Sequence, residues 1–412
     1  MRQRPLLGRT LALSLCGSGL VLGALAAPAH ANPFVYVTEK HSNAVTVIDA
    51  ATNEVVGHVG VGESPSGVAV APNGRLAFVV NAGSRSEDMS VVDVETRRVV
   101  GLIPLPKLPL GVAFRPDGAF AYVTSTATNS VTVIDTSKDS PDQTITVGKT
   151  PAGLALTPDG QLLFVANAQD LNRPAAGTVS VIDTSTNDVV DEIAVGHNPF
   201  AVAITPDGRS AYVANSNSLM TRGDGSVYVI DVGTHMVTTT IAVGQNPLGV
   251  AITPDGRAAY VTDFSDNTVH VIDIATQSVT TTIPVGRGPL GIGITPDGRS
   301  AYVANRQSFG AAAQGDVSVI DTTDDKVVTT ISVGSNPTEV AVATSPGTAC
   351  AGDCDGDGMV SVAEVVLTVN IALGSTSIDQ CSAADTSGDG TLAINEVLAT
   401  VTSLLDGCST AQ

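Results

Sequence analysis

The sequence predicts an all-β fold built as a closed ring of repeats, and three observations carry that reading. A hairpin pattern recurs: NPFAVAITPDGRSAYVAN from Asn198, NPLGVAITPDGRAAYVTD from Asn246 and GPLGIGITPDGRSAYVAN from Gly288. Looser copies start at Ser64, Leu108 and Thr150, and a truncated one, NPTEVAVATSPG, starts at Asn336. The copies recur every 42 to 48 residues, counted between Pro65, Pro109, Pro151, Pro199, Pro247, Pro289 and Pro337, the spacing of propeller blades. The two ends also complete each other. The N-terminal unit begins at a second strand, PFVYVTE, and its missing first strand is supplied by Glu339 to Ala343. Pairing the ends closes the ring and leaves no open sheet edge. The expectation is a seven-bladed β-propeller over residues 32–343.

Composition sets the outer limits. Among 412 residues, aromatics make up 3% and Trp is absent. The core must be built from Val, Ile, Ala and Leu, which suits closely packed sheets more than a large stacking pocket. The formal net charge is -20, and such a surface repels nucleic-acid phosphates and anionic lipid.

Residues 1–31 read as an export signal. Arg2, Arg4 and Arg9 form a basic start, Leu11 to Ala27 is apolar, and Ala29-His30-Ala31 fits a small-residue cleavage site. The apolar run is short for a spanning helix, and no other segment reads as transmembrane. Cys16 does not fit a lipid-attachment site, because Leu15 precedes it and apolar sequence follows. Losing the three arginines from the 20 basic residues leaves 17 against 40 acidic ones, a charge of -23.

Each unit carries four strand-like runs. In the fifth they are 201–205, 210–215, 226–231 and 236–243. Strands one and two are joined by Pro-Asp-Gly turns, with Pro72-Asn73-Gly74 the one variant. Third strands end in Asp49, Asp93, Asp135, Asp183, Asp231, Asp273 and Asp321, each before a polar turn. An Asp at that place caps the turn through the backbone. The loops between strands two and three vary in length, from 39–44 to 167–178, 215–226 and 305–316. Strand direction puts them on the face of the Gly-x-Asn-Pro connections, opposite the Pro-Asp-Gly turns. Variable loops on a rigid scaffold are where binding resides.

The Tyr-Val-Ala-Asn and Tyr-Val-Thr endings (Tyr212–Asn215, Tyr302–Asn305, Tyr122–Thr124), together with the turns, resemble the YVTN family of β-propeller repeats. The resemblance covers about residues 32 to 345 and recurs in every unit. It implies a seven-bladed propeller of exported or surface-layer proteins, and no single activity. Lactonase-like and exported-dehydrogenase propellers are the enzymatic alternative. Against that alternative, His41, His58, His197, His235 and His270 fall at different places in their repeats, and no haem-attachment or nucleophile-elbow motif occurs. Along the first strands Glu339 is the single ionisable side chain, and Glu63, His197 and Arg287 lie in connections near the channel mouth. Arg222-Gly223-Asp224 resembles an integrin-binding tripeptide, a sequence that glycine-rich turns also produce by chance.

Composition changes at Thr344. After a linker, 344–349, residues 350–412 contain two twelve-residue calcium loops. In the first, Asp353, Asp355, Asp357 and Ser361 offer oxygens, Met359 its carbonyl and Glu364 both carboxylate oxygens. In the second, the set is Asp385, Ser387, Asp389, Thr391 through its carbonyl and Glu396, with Ala393 where a ligand or a water belongs. A hard cation needs six or seven oxygens, and this spacing wraps them, so a calcium-binding EF-hand pair with a helix after each loop is expected. The second site is expected to be the weaker. The pair resembles a dockerin, which implies a cohesin-like partner. It departs from that pattern by ending its loops in Glu and by carrying Val362-Ala363 and Ile394-Asn395 at the partner-choice positions. Cys350, Cys354, Cys381 and Cys408 allow three disulfide pairings in an exported protein. One of them staples the ends through Cys350 and Cys408 and joins Cys354 to Cys381 inside.

The combined expectation is an exported, non-enzymatic binding or scaffold protein. Its propeller meets a protein or cell-surface glycan on the variable-loop face, and its calcium module gives stability or anchoring. A surface-layer component is a further alternative.

Overall fold

The computed structural model of the protein describes residues 33–169, 176–216, 225–307 and 314–343, and in the C-terminal part 352, 354, 360, 362–378, 381, 384 and 391–406. The expected export signal, the expected linker 344–349, the Arg222-Gly223-Asp224 tripeptide, Cys350 and Cys408 lie outside the described residues.

Seven four-stranded antiparallel sheets make up the body. The fifth runs Pro199–Ile204, Ser210–Asn215, Ser226–Asp231 and Met236–Ala242, close to the ranges that alternation predicts. The first is composite. Pro337–Ala343 pairs with Phe34–Glu39, which continues into Ala44–Asp49 and Glu54–Gly60. Its register sets Val35 opposite Val342 and Val37 opposite Val340. The ring is therefore closed by pairing the two ends of the propeller, as the sequence predicts.

The core lies between blades rather than in one centre. Val35, Val37 and Ile48 of the first blade pack with Tyr302, Val317 and Val319 of the seventh. Equivalent clusters join each further pair of neighbours. Second and third strands are buried on both faces, so they read as apolar runs. Fourth strands are largely exposed and alternate, as in Met236–Ala242.

The turns behave as their chemistry dictates. Gly208 sits at φ 71°, the left-handed region that only glycine enters at no cost. Asp207 Oδ1 accepts bonds from Thr205 Oγ1 (2.6 Å) and Arg209 N (3.1 Å), locking the turn. At the ends of the third strands, Asp183 accepts from Ser185 N (2.8 Å), Asp231 from Thr234 N (2.8 Å) and Asp321 from Thr323 N (2.8 Å). The hydroxyls of Ser185, Thr234 and Thr323 donate to the same carboxylates, and these bonds first, with the backbone ones second, hold the carboxyls below the usual range. The spaced carboxylates are turn caps.

In the C-terminal part, helices Val362–Ala372 and Ile394–Asp406 pack on each other. Cys354 and Cys381 are joined in a disulfide with Cα atoms 4.5 Å apart, the inner bridge of the pairing considered above. Ile371, Cys381 and Ala384 form a small core. Two short helices are what the described residues contain here, and the loops that would make them EF-hands fall mostly outside those residues.

Candidate functional site

At or near the end of each second strand stands a polar residue that the fold buries. Glu39, Asn81, Ser125, Asn167, Asn215, Asp263 and Asn305 are all at most 2% exposed. The asparagines bond locally: Asn167 Nδ2 donates to Ser180 Oγ (2.9 Å) and Asn305 Nδ2 to Ser318 Oγ (2.9 Å) on the third strands. The glycine of the Val-Gly connection is pressed against the same side chain. A Cβ on Gly148 would lie 2.6 Å from Asn167, and one on Gly286 2.5 Å from Asn305. Glu39 takes the same place with a carboxylate that accepts from Gly334 N (2.7 Å) and from Thr46 Oγ1. These residues are latches that fix the loop face.

The latches place the next residue at the mouth of the central channel. Its N–H is held by the carbonyl preceding the first-strand proline: Lys40 N to Asn336 O (3.0 Å), Arg306 N to Gly288 O (3.0 Å) and Phe264 N to Asn246 O (3.0 Å). The equivalent residues elsewhere are Ala82, Thr126, Ala168 and Ser216, bonded in the same way. Two of the seven positions are thus cationic, and they belong to the first and seventh blades, which are neighbours.

Below this ring is a cavity of about 330 Å³ walled by the seven first strands. Leu110, Phe200, Leu248 and Leu290 give it apolar walls, and Lys40, Arg306 and Glu339 line it too. Six of the seven residues at the Glu339 level are Gly or Ala, because neighbouring backbones come close there. A Cβ on Gly249 would meet Leu290 O at 2.4 Å, and one on Gly291 would meet Glu339 Oε1 at 2.6 Å. Glu339 lines the cavity and is closely surrounded by protein. That burial pushes its carboxyl up to about 7, although it accepts a bond from Val340 N (3.2 Å). Burial, then the neighbouring Arg306, pushes the Lys40 ammonium below its ordinary range, and burial lowers Arg306 as well. A second cavity of about 320 Å³ adjoins the mouth, lined by Phe264, Asn267, Arg287, Arg306 and Gln307.

The sequence therefore finds Glu339 and Arg287 but misses Lys40 and Arg306. The signal was present, since both follow the second-strand ending, yet it emerges only when seven units are aligned on that ending. Glu63 lies 3.8 Å from exposed Arg85. The histidines stay apart: His58 meets Thr46 (2.9 Å), His235 meets Asp191 (3.0 Å) and His270 meets Thr282 (3.1 Å).

The fold has counterparts among known proteins. The family model of the choice-of-anchor I domain matches residues 136–288, less than half of the chain. The chain is similar in fold to Kuenenia stuttgartiensis hydrazine synthase, with a TM-score of 0.63 and 23% identity over 74% of this chain and 100% of that one. It is also similar to the dihydro-heme d1 dehydrogenase NirN in complex with DHE, with a TM-score of 0.56 and 16% identity over 76% of this chain and 75% of that one. At these identities the likeness is one of fold. The fold is a seven-bladed β-propeller. No curated protein matches the sequence.

Of the expected calcium ligands, Asp353, Asp355, Asp357, Met359, Ser361, Asp385, Ser387 and Asp389 lie outside the described residues. Glu364, Thr391 and Glu396 lie within them. Glu364 is 6% exposed, and its Oε1 accepts from Cys354 N at 2.6 Å, near the start of its own loop. Glu396 is 1% exposed, and its Oε2 accepts from Ala393 N at 2.9 Å. Thr391 is exposed. Among the described residues no three His, Cys, Asp or Glu side chains gather as a metal site, and no helix is long and apolar enough to cross a membrane.

Proposed function

We propose that this is an exported binding protein whose propeller engages a protein or cell-surface glycan on the variable-loop face, with a calcium-binding C-terminal module that anchors it. The observation that carries the propeller's part is that both cavities open on that face and share Arg306. Export is supported by the basic and apolar N-terminus, by the Cys354–Cys381 disulfide and by the match to a choice-of-anchor domain.

Calcium binding is supported by the loop spacing and by the two closing glutamates. Both are buried and turned toward backbone N–H groups of their own loops. Asp353, Asp355, Asp357, Ser361 and Glu364 would hold the stronger ion, and Asp385, Ser387, Asp389 and Glu396 the weaker. Anchoring is supported by an apolar stripe on the first helix, where Val366 and Leu373 are 54% and 74% exposed.

The test immobilises the full-length protein and exposes it to the extracellular fraction with calcium and with chelator. A partner retained by the wild type and lost from an Arg287→Glu variant carries the reading. Retention that ignores the loop-face change overturns it.

One observation favours an enzymatic reading. A carboxyl near 7 inside a cavity is poised for proton transfer at neutral pH. Turnover of a lactone panel that Glu339→Gln abolishes would select that reading, and equal rates in both proteins would remove it.

A further inference from the structure

We propose that the mouth of the central channel binds a small organic carboxylate, its anionic head between Lys40 and Arg306 and its apolar body along Leu110, Phe200, Leu248 and Leu290. This goes beyond the protein or glycan reading and is tested separately from it.

Shape comes first. The cavity, about 330 Å³, is at the small end of sites for small molecules. Its walls are aliphatic and aromatic, with polar groups confined to a few points. That is the build of a site that sorts ligands by an apolar body and orients them by one charged end.

Charge comes second. The chain carries a net charge of -20, yet two cations stand side by side at the mouth of its axis. The equivalent residues Ala82, Thr126, Ala168, Ser216 and Phe264 are neutral, so the fold does not require charge at this level. Two like charges drawn out of water oppose each other, and Lys40 responds by losing basicity. An anion between them relieves both the repulsion and the desolvation. The acidic exterior disfavours highly charged anions, so a monoanion suits the site better than a polyphosphate.

Donor chemistry comes third. Phosphate sites are cradled by converging backbone N–H groups. Here the nearby N–H groups are engaged: Lys40 N with Asn336 O, Arg306 N with Gly288 O and Gln307 N with Arg287 O (2.8 Å). The charge at this mouth comes from the Lys40 and Arg306 side chains, which suits a carboxylate. Glu339, on the channel wall, holds a proton more readily than an ordinary carboxyl and so repels a carboxylate head less.

The experiment is calorimetric titration of the full-length protein with octanoate, with octanamide and with inorganic phosphate. The expected result is one octanoate per chain, with octanamide about tenfold weaker or worse and phosphate silent. Lys40→Met and Arg306→Met should each weaken octanoate about tenfold without changing the melting curve. Glu339→Gln should bind octanoate as well as the wild type or better. Should Arg306→Met melt early, Lys40→Gln carries the comparison alone. Octanamide binding as tightly as octanoate, phosphate binding more tightly, unchanged affinity in Lys40→Met, or no octanoate heat up to about 10 mM would each overturn the proposal. Failure here leaves the macromolecular reading intact, because that reading is scored by retention of a partner.

Discussion

Glu339 is the residue at which this propeller departs most from its own repeat. Where six other blades place Gly or Ala, it sets a carboxyl into a narrow channel, and the missing Cβ of Gly291 makes room for it. The consequence for stability has a definite sign. Its folded pKa, about 7, lies above the unfolded value, so the folded state binds the extra proton. Its contribution is therefore fully favourable below the unfolded value near 4.5 and is lost as pH rises to about 7. Glu339→Gln should match the wild type at pH 4.5 and exceed it at pH 8 by about 1–2 kcal/mol, the shift being discounted because the side chain is partly exposed. Thermal melts of both proteins across that range check this, and parallel curves would contradict the assignment. Glu339 was legible in the sequence as the lone ionisable group of the first strands. Its environment was not, because enclosure depends on how near the neighbouring blades come.

At the scale of elements, a tyrosine of the Tyr-Val ending joins one blade to the next at two junctions. Tyr302 donates to Asn53 Oδ1 (2.6 Å) across the closure between seventh and first blades, and Tyr260 donates to Asp325 Oδ1 (2.6 Å) between sixth and seventh. Asn53 and Asp325 occupy the same left-handed turn position in their blades, at φ 58° and 54°. Tyr212 is equally buried, but among the described residues its hydroxyl meets no partner. The two tyrosines should therefore respond differently to loss of the hydroxyl. Tyr302→Phe is expected to cost about 1 kcal/mol, whereas Tyr212→Phe should be neutral or slightly stabilising. Denaturant midpoints of the two variants test this, and equal losses would show that the hydroxyl bonds are not the latch. The motif is visible in the sequence, but its purpose is not, since the acceptor lies in a different repeat.

The whole molecule divides its stability in two. The propeller is held by interblade packing and end-to-end pairing. The C-terminal part has a small core, one described disulfide and apolar helix faces open to water. Among the described residues little apolar surface is buried there, the situation that a structural ion relieves. Chelation should unfold residues 350–412 and leave the propeller's β signal unchanged in circular dichroism. Glu364→Ala should abolish the tighter of two calcium-binding events in titration calorimetry. Joint loss of both signals on chelation would contradict independent folding, and unchanged affinity would remove Glu364 from the site.

By itself the sequence determined the ring. Period, turn chemistry, the Ile-Asp endings and the displaced first strand are local or repetitive, and seven copies make them unambiguous. The blade count, the closing strand Pro337–Ala343 and the separation of turn face from loop face all follow from it. The tertiary structure alone decided which side chains meet. Lys40 and Arg306 stand 266 positions apart in the chain, and the closure makes their blades neighbours. The latch residues look like surface asparagines until the adjoining glycine is seen pressed against them. The physical reason is the same in each case. Hydrogen-bonding pattern within a hairpin is written in consecutive residues, whereas burial, and with it the fate of a charge, is set by residues a whole repeat or more away.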